Sequence, residues 1–162
     1  MENVRNILVP TDFSVNSISA LRYAASIARY SPAIIHTLHC IEAIPGMESE
    51  YPGNNLLISK GIARLRKEMK KFTGIISSPN LKIKEVIKTG KPYDQILRYS
   101  RDSDISIIVL ASNNWSGKGI LMLGQVAKKV VKYSKIPVLL IKNNDLVYGK
   151  NFSPVIGNSA AT

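Results

Sequence analysis

Cysteine is almost missing from this chain. Cys40 is the only one in 162 residues, so no internal disulfide can form, which suits a reducing cytoplasm. Acidic residues are scarce as well, 11 against 22 Lys and Arg, and the formal net charge is +11. That excess bears on association and solubility, toward nucleic acid, an anionic membrane surface or an acidic partner, and not on fold. Long apolar runs are lacking. No stretch approaches the roughly 18 residues that span a bilayer, so no membrane insertion is expected. Asp12 interrupts the first apolar run, which leaves no signal-peptide pattern and makes the cytoplasm the expected location. In that compartment the glycosylation triplets Asn114-Trp115-Ser116 and Asn151-Phe152-Ser153 carry no meaning. Neither His36 nor His39 has a recognisable Ser or Asp partner, and no metal-ligand spacing occurs, so no enzyme is expected. No G-x-G-x-x-G follows the first apolar run, and no G-x-x-x-x-G-K-S/T occurs anywhere. A dinucleotide fingerprint and a P-loop are both excluded.

What is present is an ordinary globular balance, 45% hydrophobic and 20% charged, in a length that fits one domain. Arg5 to Pro10 (RNILVP) reads as a short buried strand, followed by Thr11-Asp12-Phe13-Ser14, where Ser14 caps a helix running to about Tyr30. Asp12 is a candidate cap as much as a candidate ligand. Ala33 to Ile41 is a second strand. His36 and His39 lie an odd number of residues apart and point to opposite sides of it, so both read as structural. Glu42 to Asn55, with Pro45-Gly46 and Pro52-Gly53, is a loop. From Leu56 to Phe72, Ile58, Ile62, Leu65, Met69 and Phe72 keep the three-four spacing of a core-facing helix. A strand follows from Leu81 to Thr89, and Pro92 opens a short helix. Ile107 to Leu110 is a continuous apolar strand, Ala111 to Gly119 a turn-rich loop, and the helical pattern resumes at Leu123 and runs to about Ser134. Ile136 to Ile141 is the last strand, and the polar residues 143–162 read as a loosely ordered tail beyond a domain of residues 1–142.

Strands alternating with amphipathic helices predict an α/β fold: one doubly wound, five-stranded parallel sheet with helices on both faces. Ligands of such sheets bind beyond the carboxyl ends of the strands, where the chain switches faces. Asp12 after the first strand and Ala111 to Gly124 after the fourth then share a crevice. The run from strand through small-residue loop to helix N-terminus suits an anion there.

Four pieces carry a family resemblance: ILVPTDFS (Ile7 to Ser14), the His-containing second strand, TGKPYDQIL (Thr89 to Leu97) and SGKGILMLGQVAKKVVKYSKIPVLLIK (Ser116 to Lys142). Together they resemble the universal stress protein family, in order and spacing, over nearly all of Asn6 to Lys142. The resemblance implies sheet order 3-2-1-4-5, an adenine nucleotide alpha hydrolase-like fold, and a homodimer paired through strand 136–141. It also implies a nucleotide crevice, carried here by Pro10, Thr11, Asp12, Ile41, Ala111, Asn114, Ser116, Gly117, Gly124 and Gln125. ATP-binding members carry G-x-x-G, nine residues, then G-S/T. On this chain those positions hold Ala111, Asn114, Gly124 and Gln125, so three of the four have changed. Asp12, at the family's ribose-binding carboxylate, is kept, as are Ser116 and Gly117. Trp115 stands in the altered loop, as a stacking surface or a cover for a neighbouring element.

Three readings follow. The first is a non-enzymatic stress-response or regulatory module acting through dimerisation and an unidentified protein partner, with ATP bound weakly or not at all. The second is a nucleotide sensor that still binds ATP or another adenine nucleotide. The third is a basic surface for nucleic acid or an acidic partner, formed by Lys60, Arg64, Lys67 and Lys71 with a contribution from Lys128, Lys129 and Lys132. The sequence lacks the aromatic interleaving of a specific single-strand binder.

Overall fold

The computed structural model describes residues 4–42, 54–76, 78–112, 114–115, 121–142 and 155–156. The chain runs β1 (Asn6–Pro10), α1 (Val15–Tyr30), β2 (Ile34–Ile41), α2 (Asn54–Gly74), β3 (Lys82–Thr89), α3 (Pro92–Asp102) and β4 (Ile107–Ser112). It continues with β5 (Asn114–Trp115), β6 (Leu121–Met122), α4 (Gln125–Tyr133), β7 (Val138–Lys142) and β8 (Val155–Ile156). The strand order is β3-β2-β1-β4-β7-β8. Its five long strands are parallel, which is the expected 3-2-1-4-5 order.

The sheet is covered on both faces, and β1 shows why its sequence is an unbroken apolar run. Ile7, Leu8 and Val9 are all 0% exposed. Ile7 and Val9 join Leu21, Ala24, Ile35, Met69 and Phe72 in the core beneath α1 and α2. Leu8 points the other way, to Leu38, Ile96, Ile108 and Val130 beneath α3 and α4. A strand buried on both sides has no polar position to alternate with. In α2 the periodic pattern overstates contact. Met69 and Phe72 are buried, whereas Ile62 and Leu65 are only half-buried. Ile58 lies outside the residues whose side chains are described.

The histidines fall on opposite faces, as their odd spacing requires. His36 is buried among α3 contacts: its Nε2 lies 3.1 Å from Asn6 Oδ1 and its Nδ1 2.8 Å from the Tyr99 hydroxyl. Asn6 Nδ2 donates to the Asp104 carbonyl, so Asn6 Oδ1 is the acceptor. His36 therefore carries its proton on Nε2 and accepts from Tyr99 at Nδ1. His39 stacks on Phe13, with ring centroids 4.4 Å apart.

Two segments depart from the sequence reading. The turn-rich stretch after β4 holds a small antiparallel pair, Asn114 opposite Met122 and Trp115 opposite Leu121. In the polar tail, Val155–Ile156 pairs antiparallel with β7, so the edge at 136–141 is not bare. All three strands, β5, β6 and β8, are two residues long, too short for any alternation to register in sequence. The remaining tail residues lie outside the described ones.

Candidate functional site

The segments leaving β1 and β4 go to opposite faces: α1 packs on one side of the sheet and α4 on the other. Neighbouring parallel strands that part in this way open a crevice at their carboxyl ends. Here it is a cleft of about 310 Å³ bordered by Pro10, Thr11, Asp12, Ala111, Gly124 and Gln125. Six of the ten expected residues are thus brought together. Its apolar floor, which no motif indicated, comes from Leu38, Cys40, Ile96, Leu110 and Val126.

The turn after β1 is held by its own side chains. Thr11 extends the sheet by donating its amide to the Leu38 carbonyl, and its Oγ1 accepts from the Phe13 amide at 2.9 Å. Asp12 Oδ1 accepts from the Ser14 amide at 3.0 Å and from Ser17 Oγ at 2.7 Å. Ser14 caps α1, its side chain accepting from the Ser17 amide. Phe13 sits at φ 64, left-handed backbone that a bulky residue seldom takes. Stacking on His39 and an edge contact with Phe72 hold it there. Asp12 is thereby fixed at the rim. Partial burial raises its pKa, but the Ser14 and Ser17 hydrogen bonds outweigh that and leave it below the ordinary carboxylate value. One oxygen is committed to the turn. The residue is nevertheless exposed and lines the cleft, so its carboxylate is open to a ligand.

His39 also borders the cleft, and its Nδ1 lies 2.9 Å from the Thr11 carbonyl. A carbonyl can only accept, so Nδ1 carries the proton and Nε2 is the acceptor of the neutral ring. Cys40 is a wall and not a nucleophile: burial pushes its thiol up to about 11. Across the cleft, Gly124 is the N-cap of α4, with no side-chain cap bond and no acidic residue in the first turn. Gly124, Gln125, Val126 and Ala127 all line the cleft. The uncapped amides of that turn and the positive end of the helix dipole therefore stand at its edge. A Cβ at Gly124 would meet nothing within 4 Å, so the space in front of it is open.

Residues 3–142 match the family described as the universal stress protein family. The chain belongs to that family. The universal stress protein YxiE of Bacillus subtilis is 30% identical over 145 residues, covering 84% of this chain and 97% of the relative. A universal stress protein of Methanocaldococcus jannaschii has a solved structure that superposes with TM-score 0.71 at 27% identity, covering 88% of this chain and 99% of that one. An Archaeoglobus fulgidus universal stress protein, solved in complex with dAMP, superposes with TM-score 0.61 at 21% identity, covering 88% and 100%.

Of the four remaining expected positions, two can be placed in this universal stress protein fold. Ile41 does not line the cleft. It is at the end of β2, where its carbonyl accepts from the Gly90 amide at 2.8 Å, and Cys40 lines the cleft in its place. A one-residue shift along a strand reverses the face a side chain points to. Ala111 borders the cleft while also packing against the α1-side core, so its methyl is partly absorbed by the protein itself. Asn114 enters the short pair with Met122, and its side chain lies outside the description. Ser116 and Gly117 lie outside the described residues. Among the described residues no group of His, Cys, Asp and Glu could hold a metal ion, and no helix is long and apolar enough to cross a membrane.

Proposed function

We propose that this chain is a non-enzymatic regulatory module of the reducing cytoplasm whose cleft takes an adenine mononucleotide and holds ATP weakly. One observation carries the reading: an apolar floor, an exposed rim carboxylate and an uncapped helix N-terminus border the same cleft of about 310 Å³. That volume is at the small end of ligand pockets. The floor suits a base, the exposed Asp12 carboxylate suits the ribose hydroxyls, and the α4 amides suit one phosphate. The acceptor Nε2 of His39 suits an exocyclic amine of the base. A triphosphate would need the loop where Ala111, Asn114 and Gln125 replace the family's glycines and hydroxyl. The dAMP bound to the Archaeoglobus fulgidus protein is of the size proposed, although at 21% identity that likeness speaks for the fold alone. A regulatory rather than catalytic role fits a cleft whose thiol stays protonated at neutral pH.

The test is a thermal-shift and calorimetric titration with AMP, dAMP and ATP. AMP at a hundredfold excess over its Kd should stabilise the fold by about 2.7 kcal/mol. Asp12→Ala should remove most of that shift. ATP should bind no more tightly than AMP. ATP affinity in the low micromolar range would overturn the weak-triphosphate reading, and no shift with any adenine nucleotide would overturn the cleft assignment.

A further inference from the structure

The excess of positive charge is not spread over the molecule. Residues 60–91 hold ten of the lysines and arginines against two carboxylates, Glu68 and Glu85, which puts +8 of the chain's +11 into α2, β3 and the turn at Lys91. These two elements are neighbours. Met69 and Phe72 seat α2 on the α1 side of the sheet together with Ile83 and Ile87 of β3. Thr73 near the end of α2 donates to Glu85 of β3 at 2.6 Å. Lys60, Arg64 and Lys67 are exposed on α2. Lys82, Lys84 and Lys88 alternate with Ile83 and Ile87 and are exposed on the other side of β3, the side on which Val86 packs. The sheet ends at β3, so its outer edge is flanked by cations from both faces. Among the described residues the ion pairs are Lys71 with Glu68 and Arg98 with Asp94, and Lys71 is the one cation of this rim so engaged.

We infer that the α2–β3 rim binds the phosphate backbone of a duplex nucleic acid without reading its sequence. Ten cations with so little internal neutralisation leave a strong field at one end of the molecule. A protein partner would call for a desolvated apolar or aromatic centre, and lysine is depleted from such interfaces. Protein–DNA interfaces are much more positive. A single strand would call for exposed aromatic platforms, and Phe72, the one aromatic residue in 60–91, is only 4% exposed. A membrane surface would favour cations on one plane rather than on both sides of a sheet edge. The lysines of α4 do not extend this surface as the sequence led us to expect. α4 shares the face of Lys82, Lys84 and Lys88 but packs over β4 and β7 at the other end of the sheet, with α3 between, and Lys129 lies over the Tyr93 ring, 4.3 Å from its centroid.

The test is fluorescence anisotropy of the full chain with a mixed-sequence duplex of about 30 base pairs across a salt series. Duplex binding should weaken steeply with salt, with a log–log slope of about −0.9 for each phosphate neutralised. Lys82→Gln, Lys84→Gln and Lys88→Gln together should weaken it at least about tenfold and flatten the slope by about 2.7. Lys60→Gln, Arg64→Gln and Lys67→Gln together should do the same from the other face. The triple change Lys128→Gln, Lys129→Gln and Lys132→Gln, equal in charge, should leave affinity within about twofold. Equal losses from all three sets would show that only net charge acts and would overturn the assignment. So would no duplex binding at low salt, or tighter binding to a single strand or to phosphatidylserine vesicles than to duplex.

Discussion

His36 shows how one side chain ties sequence to pH response. It is 4% exposed and sits between Asn6 and Tyr99, donating from Nε2 and accepting at Nδ1. Burial first, and then the charge of Lys84, lower its pKa below the ordinary value of 6.5. The unfolded chain takes up that proton near 6.5 while the folded chain resists it. Stability contributed by the neutral ring is therefore complete above 6.5 and is lost as pH falls from there toward the lowered folded value. We expect the melting temperature to drop between pH 7 and pH 5, and His36→Gln to flatten that drop. A wild-type profile as flat as the variant's would remove His36 as its source. Asp12 has the opposite group chemistry but a similar direction. Its lowered pKa places its loss of stability below the ordinary 3.8, outside this window. Tyr99→Phe would leave Nδ1 of a buried ring without its donor, at a cost of about 1–3 kcal/mol.

At the scale of elements, the β4–α4 connection carries the ATP prediction. The uncapped α4 start is intact, but the loop feeding it has lost the family's glycines and hydroxyl. Ala111→Gly, Asn114→Gly and Gln125→Ser together should raise ATP affinity about tenfold, or about 1.4 kcal/mol, by calorimetry, while AMP affinity stays within about twofold. Because Ala111 packs partly into the α1-side core, its replacement should lower stability by about 1 kcal/mol. Repair without any gain for ATP would mean that something other than these three residues limits the cradle. Elements of ordinary length are legible in the sequence. The unbroken apolar runs of β1 and β4, the three-four spacing of Met69 and Phe72, and the odd spacing of the histidines each map onto one packing fact. Burial on two faces, burial on one stripe and alternation leave different signatures in sequence. What escaped was structure without such a signature. The pair of β5 and β6 is too short to show a period. The difference between Cys40 and Ile41 depends on which face of β2 is toward the cleft at its last turn of pleat. The left-handed Phe13 is set by tertiary stacking on His39, which no local pattern announces.

At the scale of the whole molecule the open question is its second copy. The family resemblance implies pairing through the strand that is now β7, and an exposed strand carrying Val138, Leu139, Leu140 and Ile141 would be an aggregation liability if nothing covered it. Within this chain something does. β8 pairs antiparallel with β7, Leu139 opposite Ile156 and Leu140 opposite Val155. A partner's β7, brought in by a two-fold axis, would run antiparallel as well and would call on the same backbone donors and acceptors. Self-association through β7 and docking of β8 would therefore compete for one edge. A pair of β8 residues offers little area against the five of a partner strand, so the balance should respond to protein concentration. We expect a chain ending at Lys142 to sediment as a dimer at concentrations where the 162-residue chain still contains monomer. In the shortened chain Leu140→Lys should restore monomer or leave insoluble protein, because the substitution strikes the edge now lacking any cover. If the shortened chain remained monomeric at high concentration, β7 would not be the dimer interface, and the β8 strand would simply close the sheet.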